Sequence, residues 1–152
     1  MYNFMLHLHS WTSWILLVLL VVVLIKSLLG WINKQDFTAT DNKLHLAFVS
    51  TVHLQFIFGL ILYLFLSPHV ANGVFTDFGA TMKDPMMRFF GVEHIVGMII
   101  VVAMITIGRA KSKRQPDGVG KHRVAFVFYM ISIFIMLGVL PWMRDLAPMF
   151  RF

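Results

Sequence analysis

Four long apolar stretches constrain what this chain can fold into more than any other feature. They cover about residues 11–31, 44–66, 89–107 and 124–142. A helix needs roughly 20 mainly apolar residues to cross a hydrocarbon core about 30 Å thick, because it rises about 1.5 Å per residue. The 152 residues are 59% hydrophobic and only 13% charged, which is too apolar for a soluble domain of this length. We therefore predict one all-α domain, residues 1–152, that crosses the membrane four times.

The segments between these stretches predict how the helices are arranged. Short connections make sequential helices antiparallel neighbours, which predicts an up-down-up-down bundle. The first stretch is expected to be a retained helix and not a cleaved signal peptide, because no basic segment precedes it and its apolar core is too long. Lys and Arg concentrate in the first and third connections, at positions Lys34, Lys43, Arg109, Lys111, Lys113, Arg114, Lys121 and Arg123.

That concentration predicts the orientation of the chain. Cytoplasmic segments of membrane proteins are enriched in Lys and Arg. Few basic residues stand elsewhere: Lys26 lies in the first stretch and can extend toward the first connection, and Lys83, Arg88, Arg144 and Arg151 lie on the opposite side. We therefore expect both termini outside, an N-out/C-out arrangement, in the inner membrane of a bacterium. Membrane orientation also accounts for the net charge of +6, so nucleic acid is not an expected partner.

The absence of cysteine narrows the chemistry. Without cysteine the chain forms no disulfide, iron–sulfur cluster, thiolate zinc site or covalently attached c-type haem. Seven histidines remain. His45 and His122 fall at the cytoplasmic edge and His69 in the outer connection, where we expect solvated histidine.

Ionisable residues at membrane depth are costly and are functional candidates by default. His53 is expected roughly 13 Å below the cytoplasmic edge, and His94 roughly 8 Å below the opposite edge. His7 and His9 come just before the first stretch, at its outer edge. Neutral imidazoles on two helices can ligate a haem iron from both sides, which makes His53 with His94, or His9 with His94, candidate axial pairs. The alternative is that each histidine only forms a hydrogen bond between helices.

Helical spacing places these histidines on stripes of small and apolar residues. The predicted stripes are His9, Ser13, Leu16 and Leu20 on the first helix; Leu46, Val49, His53, Phe56, Leu60 and Tyr63 on the second; and Gly91, His94, Met98, Val101, Ile105 and Gly108 on the third. A flat apolar macrocycle requires such a surface.

Two charged residues near His94 have two interpretations each. Glu93 either relays a proton or accepts a hydrogen bond from a quinol, or it pairs with Arg88 or an outer histidine. Arg88 either binds haem propionates or anchors the chain at the interface. Three methionines outside the membrane, Met82, Met86 and Met87, are candidate Cu(I) ligands together with His69.

Several segments together resemble a known family. They are His7-Leu8-His9-Ser10 before Trp11, His53-Leu54-Gln55 with Gly59, the run from Arg88 to Met98, Ser112-Lys113-Arg114, and Pro141-Trp142. The chain resembles, nearly end to end, small four-helix bacterial membrane proteins of the cytochrome b-like family. The resemblance implies haem b and electron transfer, with His7, His9, His53 and His94 as the matching histidines.

The leading hypothesis is thus a small b-type cytochrome or cytochrome-like membrane subunit. It would bind haem b between helices and transfer electrons between the quinone pool and a partner subunit or a second copy. Two alternatives stay open. One is a haem-free structural or assembly subunit, or a Met- and His-based metal permease. The other is a membrane enzyme like protoporphyrinogen oxidase, which places a histidine near the start of its first helix.

Overall fold

A computed structural model describes residues 1–67 and 70–142 of the chain. This part of the chain contains helices and connections and no β-strand, which confirms the all-α prediction. The long helices are α1 (Tyr2–Ile32), α2 (Ala39–Ile61), α5 (His94–Lys113) and α6 (Gly118–Val139), and the short ones are α3 (Phe78–Lys83) and α4 (Pro85–Arg88). Three π-helical turns, Leu62–Leu66, Val70–Val74 and Phe89–Glu93, lie next to them. The predictions for His69, Arg144 and Arg151 fall outside the described residues.

Four helical stretches are long and apolar enough to cross a membrane, as the sequence predicts. They are Tyr2–Ile32, Ala39–Leu66, Pro85–Lys113 and Gly118–Val139. The shortest has 22 residues and is about 33 Å long. Their ends differ from the predicted ones, because a helix continues through polar residues at an interface where its backbone groups remain paired. The first helix begins at Tyr2 and not near Trp11, so His7 and His9 lie within α1.

Side-chain caps fix where α2 and α6 begin. The hydroxyl of Thr38 accepts a hydrogen bond from the amide of Asp41 (3.2 Å), and the Asp41 carboxylate accepts one from the amide of Thr38 (2.8 Å). This capping box satisfies amides that have no partner within the helix. The carboxylate of Asp117 caps α6 by accepting from the amide of Gly120 (2.6 Å). A Cβ at Gly118 would touch the backbone of Asp36 and Phe37, so the connection between α1 and α2 lies against the start of α6.

The four long helices contact one another in a ring. Helix α1 packs against α2 and α6, and α5 packs against α6 and α2. The core between them includes Leu20, Phe48, Ile105 and Tyr129, which are fully buried. Gly108 lies against Phe128, so the lack of a side chain brings α5 and α6 close together.

Candidate functional site

One cleft enters this ring near the start of α1 and the start of α5, lined by side chains from α1, α2, α5 and α6. Its volume is about 170 Å³, slightly more than the roughly 150 Å³ of a cavity that admits benzene. It extends from Phe90, in the π-helical turn before α5, to Ile105 of α5, a length of about 22 Å. So small a volume over that length means that the cleft is narrow. Most of its lining is apolar, and its polar lining includes His9, Ser10, Ser13, Gln55, Tyr63 and His94; we call it the histidine cleft.

His94 enters the cleft from the start of α5, directly after the π-helical turn Phe89–Glu93. Its Nδ1 lies 2.8 Å from the main-chain oxygen of Val139. A carbonyl oxygen can only accept, so Nδ1 carries the proton and Nε2 has a free lone pair. Metal-ligating histidines typically donate the other ring nitrogen to such an acceptor, which fixes the ring orientation. The structure thus holds His94 in the form that binds a metal through Nε2.

His9 lines the same cleft from α1. Its ring rests against Gly59 of α2, where an added Cβ would lie 3.1 Å from Cε1. The Nδ1 atom of His9 is buried and forms no hydrogen bond within the described residues. The side-chain amide of Gln55 donates to the main-chain oxygen of His9 (2.9 Å) and to the hydroxyl of Ser13 (2.5 Å), which joins α1 to α2 at this level.

His53 is placed elsewhere, on an exposed side of α2. Its Nε2 lies 3.0 Å from the hydroxyl of Thr106, and that hydroxyl donates its hydrogen to the main-chain oxygen of Val102 (2.7 Å). The hydroxyl oxygen must therefore accept from His53, so Nε2 of His53 carries a proton. The structure brings His9 and His94 to one cleft and does not bring His53 there.

The other predicted site residues lie outside the lining of the cleft. His7 is exposed on α1. The guanidinium of Arg88 donates to the carboxylate of Glu93 (2.7 Å), and both side chains are about two-fifths exposed. Of the two interpretations of Glu93, the structure therefore shows the ion pair with Arg88.

A second group of polar side chains is buried at the other end of the bundle. His45 and His122 are 0% and 1% exposed, so the prediction that they are solvated is wrong. The physical reason is that the connection after α1 covers them: the ring of Phe37 lies 5.2 Å from His45 and 4.9 Å from His122. His45 is placed between the hydroxyls of Ser27 (3.4 Å) and Tyr129 (3.3 Å).

Charged residues in this second group are also paired. Lys26 lies 3.4 Å from the carboxylate of Asp41, which is 1% exposed. The guanidinium of Arg109 hydrogen-bonds the side chain of Asn42 and lies over the ring of Phe37. Buried charges are tolerated only with such partners. We therefore interpret this group as a set of structural contacts that holds the helices together, and we call it the inner polar cluster.

The contact between His45 and Tyr129 predicts a measurable stability effect. In Tyr129→Phe, one nitrogen of the buried His45 ring loses its partner, and we expect the free energy of unfolding to fall by about 1–2 kcal/mol. Unfolding in mixed micelles, followed by circular dichroism, measures this loss. In a His45→Leu background the same substitution should cost much less, and an equal cost in both backgrounds would contradict a direct interaction.

Sequence reasoning missed Gln55 as a site residue. Gln55 is two positions from His53, so the two side chains point about 200° apart around α2. Only one of these two side chains can face the cleft. The sequence does indicate which one, because Gln55 and Gly59 are four residues apart and so lie on the same face of α2.

The described residues contain no metal-binding cluster, and comparison with known proteins gives no match. Within residues 1–67 and 70–142, no three or more His, Asp or Glu side chains gather as they would around a metal ion. A haem iron, by contrast, needs at most two protein ligands. No protein family, curated protein or solved structure matches the chain.

Proposed function

We propose that the chain is a small b-type cytochrome that holds haem b in the histidine cleft, with His9 and His94 as axial ligands. It transfers electrons between the quinone pool and a partner subunit or a second copy. One observation carries the proposal: two imidazoles from different helices line the same narrow apolar slot, and one of them has its Nδ1 bonded to a main-chain carbonyl.

The residues present fit this group in three respects. Two neutral histidines are a ligand set that haem iron accepts. The Nδ1 atom of His9 has no hydrogen-bond partner among the described residues, so no hydrogen bond at Nδ1 has to break when a ligand binds. Gly59 provides space for the His9 ring where any other residue would add a Cβ 3.1 Å away.

Each part of the cleft has a task in this proposal. Haem b, when bound, supplies reversible one-electron transfer. Val139 orients His94, Gln55 holds α1 against α2 beside His9, and the apolar lining excludes water. A dry, apolar surround is one of the means by which a protein sets a redox potential.

Glu93 is our candidate for contact with a quinol. Its carboxylate is 42% exposed and adjoins His94 in the chain, so a quinol hydroxyl can donate to it. Arg88 already donates to this carboxylate, and we therefore assign Arg88 to the ion pair and not to haem propionates.

The arrangement in the membrane is also proposed. The short connections between α1 and α2 and between α5 and α6, together with the ring of helix contacts, support an up-down-up-down bundle. Exposed basic residues at Lys34, Lys43, Lys111, Lys113, Arg114 and Arg123 support an N-out/C-out orientation in a bacterial inner membrane.

A haem-free assembly subunit is the second candidate, and one observation favours it. Three histidines of this chain, His45, His53 and His122, have protein partners, so histidine serves structure at other places in the same bundle.

The optical spectrum of the purified wild-type protein separates these candidates. From haem-replete cells, in mild detergent, we expect a dithionite-reduced minus oxidised spectrum with a b-type α-band and about one haem per chain. A folded preparation with no haem would contradict the cytochrome proposal and leave the assembly subunit.

A further inference from the structure

The two histidines of the cleft differ in one detail. His94 donates its Nδ1 proton to the main-chain carbonyl of Val139, whereas Nδ1 of His9 is buried and has no hydrogen bond within the described residues. A buried ring nitrogen without a partner is costly, so a hydrogen bond from Nδ1 of His9 to a nearby acceptor would stabilise the ring.

One main-chain carbonyl near His9 belongs to Gln55. In a regular α-helix the amide of Gly59 donates a hydrogen bond to the main-chain carbonyl of Gln55. That carbonyl oxygen has a second lone pair, which can accept another hydrogen bond. Gly59 has no side chain to cover that lone pair, and an ideal Cβ there would lie 3.7 Å from Nδ1 of His9. The imidazole of His9 also lies near the main chain of Gln55, although its Nδ1 forms no hydrogen bond of normal geometry.

We propose that Gly59 is a positioning residue for His9. Because it lacks a side chain, the His9 ring can turn its Nδ1–H toward the main-chain carbonyl of Gln55, so that Nε2 remains unprotonated and available to a ligand. His9 then repeats the arrangement that His94 makes with Val139. The use of this arrangement for haem rests on the proposed function, but the position of the proton is a property of the chain alone.

Alanine at position 59 should disturb this arrangement. Its Cβ would lie 3.1 Å from Cε1 of His9, closer than most such contacts in proteins, so the ring must turn or move away. The methyl group would also cover the second lone pair of the Gln55 carbonyl. Gly138 is a matched control, because a Cβ added there meets nothing within 4 Å.

The test is nitrogen NMR of the haem-free protein in detergent micelles. The chain is labelled with ¹⁵N-histidine, and its resonances are assigned by single replacements of His9 and His94 with Gln. In the wild type we expect both residues to carry the proton on Nδ1. In Gly59→Ala we expect His9 to lose this preference while His94 keeps it, and Gly138→Ala should match the wild type.

Two results would overturn the proposal: a wild-type His9 protonated on Nε2, or a His9 in Gly59→Ala that keeps the wild-type proton position. In the haem-loaded protein, Gly59→Ala should also shift the low-spin electron paramagnetic resonance signal and the midpoint potential relative to Gly138→Ala. If no haem binds but the NMR result holds, only the proposed function fails.

Discussion

His94→Ala should abolish the b-type spectrum of the purified protein, and His9→Ala should abolish it or convert it to a five-coordinate form. Each substitution removes one imidazole from the histidine cleft, where the ring of His94 is already held by Val139. An iron that loses one axial nitrogen loses its low-spin state, and an apolar slot without both ligands should retain little haem. Haem content per chain and the reduced-minus-oxidised spectrum measure both effects.

His53→Ala is the matched control for these two variants. It removes an imidazole of the same size from the membrane part of the bundle, but that imidazole is bonded to Thr106 and lies outside the cleft. It should therefore keep the wild-type haem content. Full loss of haem in His53→Ala, with retention in His9→Ala, would show that the iron is held by the other predicted pair.

Gly108→Leu should produce the largest loss of stability, about 3 kcal/mol in the free energy of unfolding. A Cβ at this position of α5 collides with the side chain of Phe128 on α6, so the rest of a leucine side chain has no space. Overpacking of this kind costs about 1–3 kcal/mol, and here it also separates two helices that pack along their length. Unfolding by sodium dodecyl sulfate in mixed micelles measures the loss.

Gly138→Leu is the corresponding control, because a side chain there points into open space. It should leave the stability within about 0.5 kcal/mol of the wild type. An equal loss in both variants would mean that the contact with Phe128 does not determine the effect, since leucine favours a helix more than glycine does.

The number of helices was predictable because it depends only on the length and hydrophobicity of each apolar stretch. Helix ends were less predictable. The segment from Tyr2 to Ser10 mixes apolar residues with polar ones, and nothing in its composition shows that α1 already includes His7 and His9.

The candidate site was predicted in part. On α1 and α5, cleft residues such as His9, Ser13, Met98 and Val101 follow the expected stripes. On α2 the cleft is lined by residues such as Gln55 and Gly59, which lie about 200° and 240° around the helix from His53. The rotation of a membrane helix is hard to predict because lipid and protein interior are equally apolar, so the sequence shows no polar face directed at solvent.

Burial of the inner polar cluster was not predictable from local sequence. His122 stands between Lys121 and Arg123, and His45 comes two residues after Lys43, which suggests an exposed surface. Their burial depends on the path of the connection after α1, which places Phe37 over both rings, and such long-range contacts have no local pattern.

The inner polar cluster also has a consequence for biogenesis. Its members come from the first, second, third and fourth long helices in turn, for example Ser27, His45, Arg109 and Tyr129. A nascent chain with only two inserted helices would therefore already pair Asp41 with Lys26, but His45 would lack the hydroxyl of Tyr129 that α6 supplies later. Complete pairing within the inner polar cluster therefore requires the last long helix to be in place.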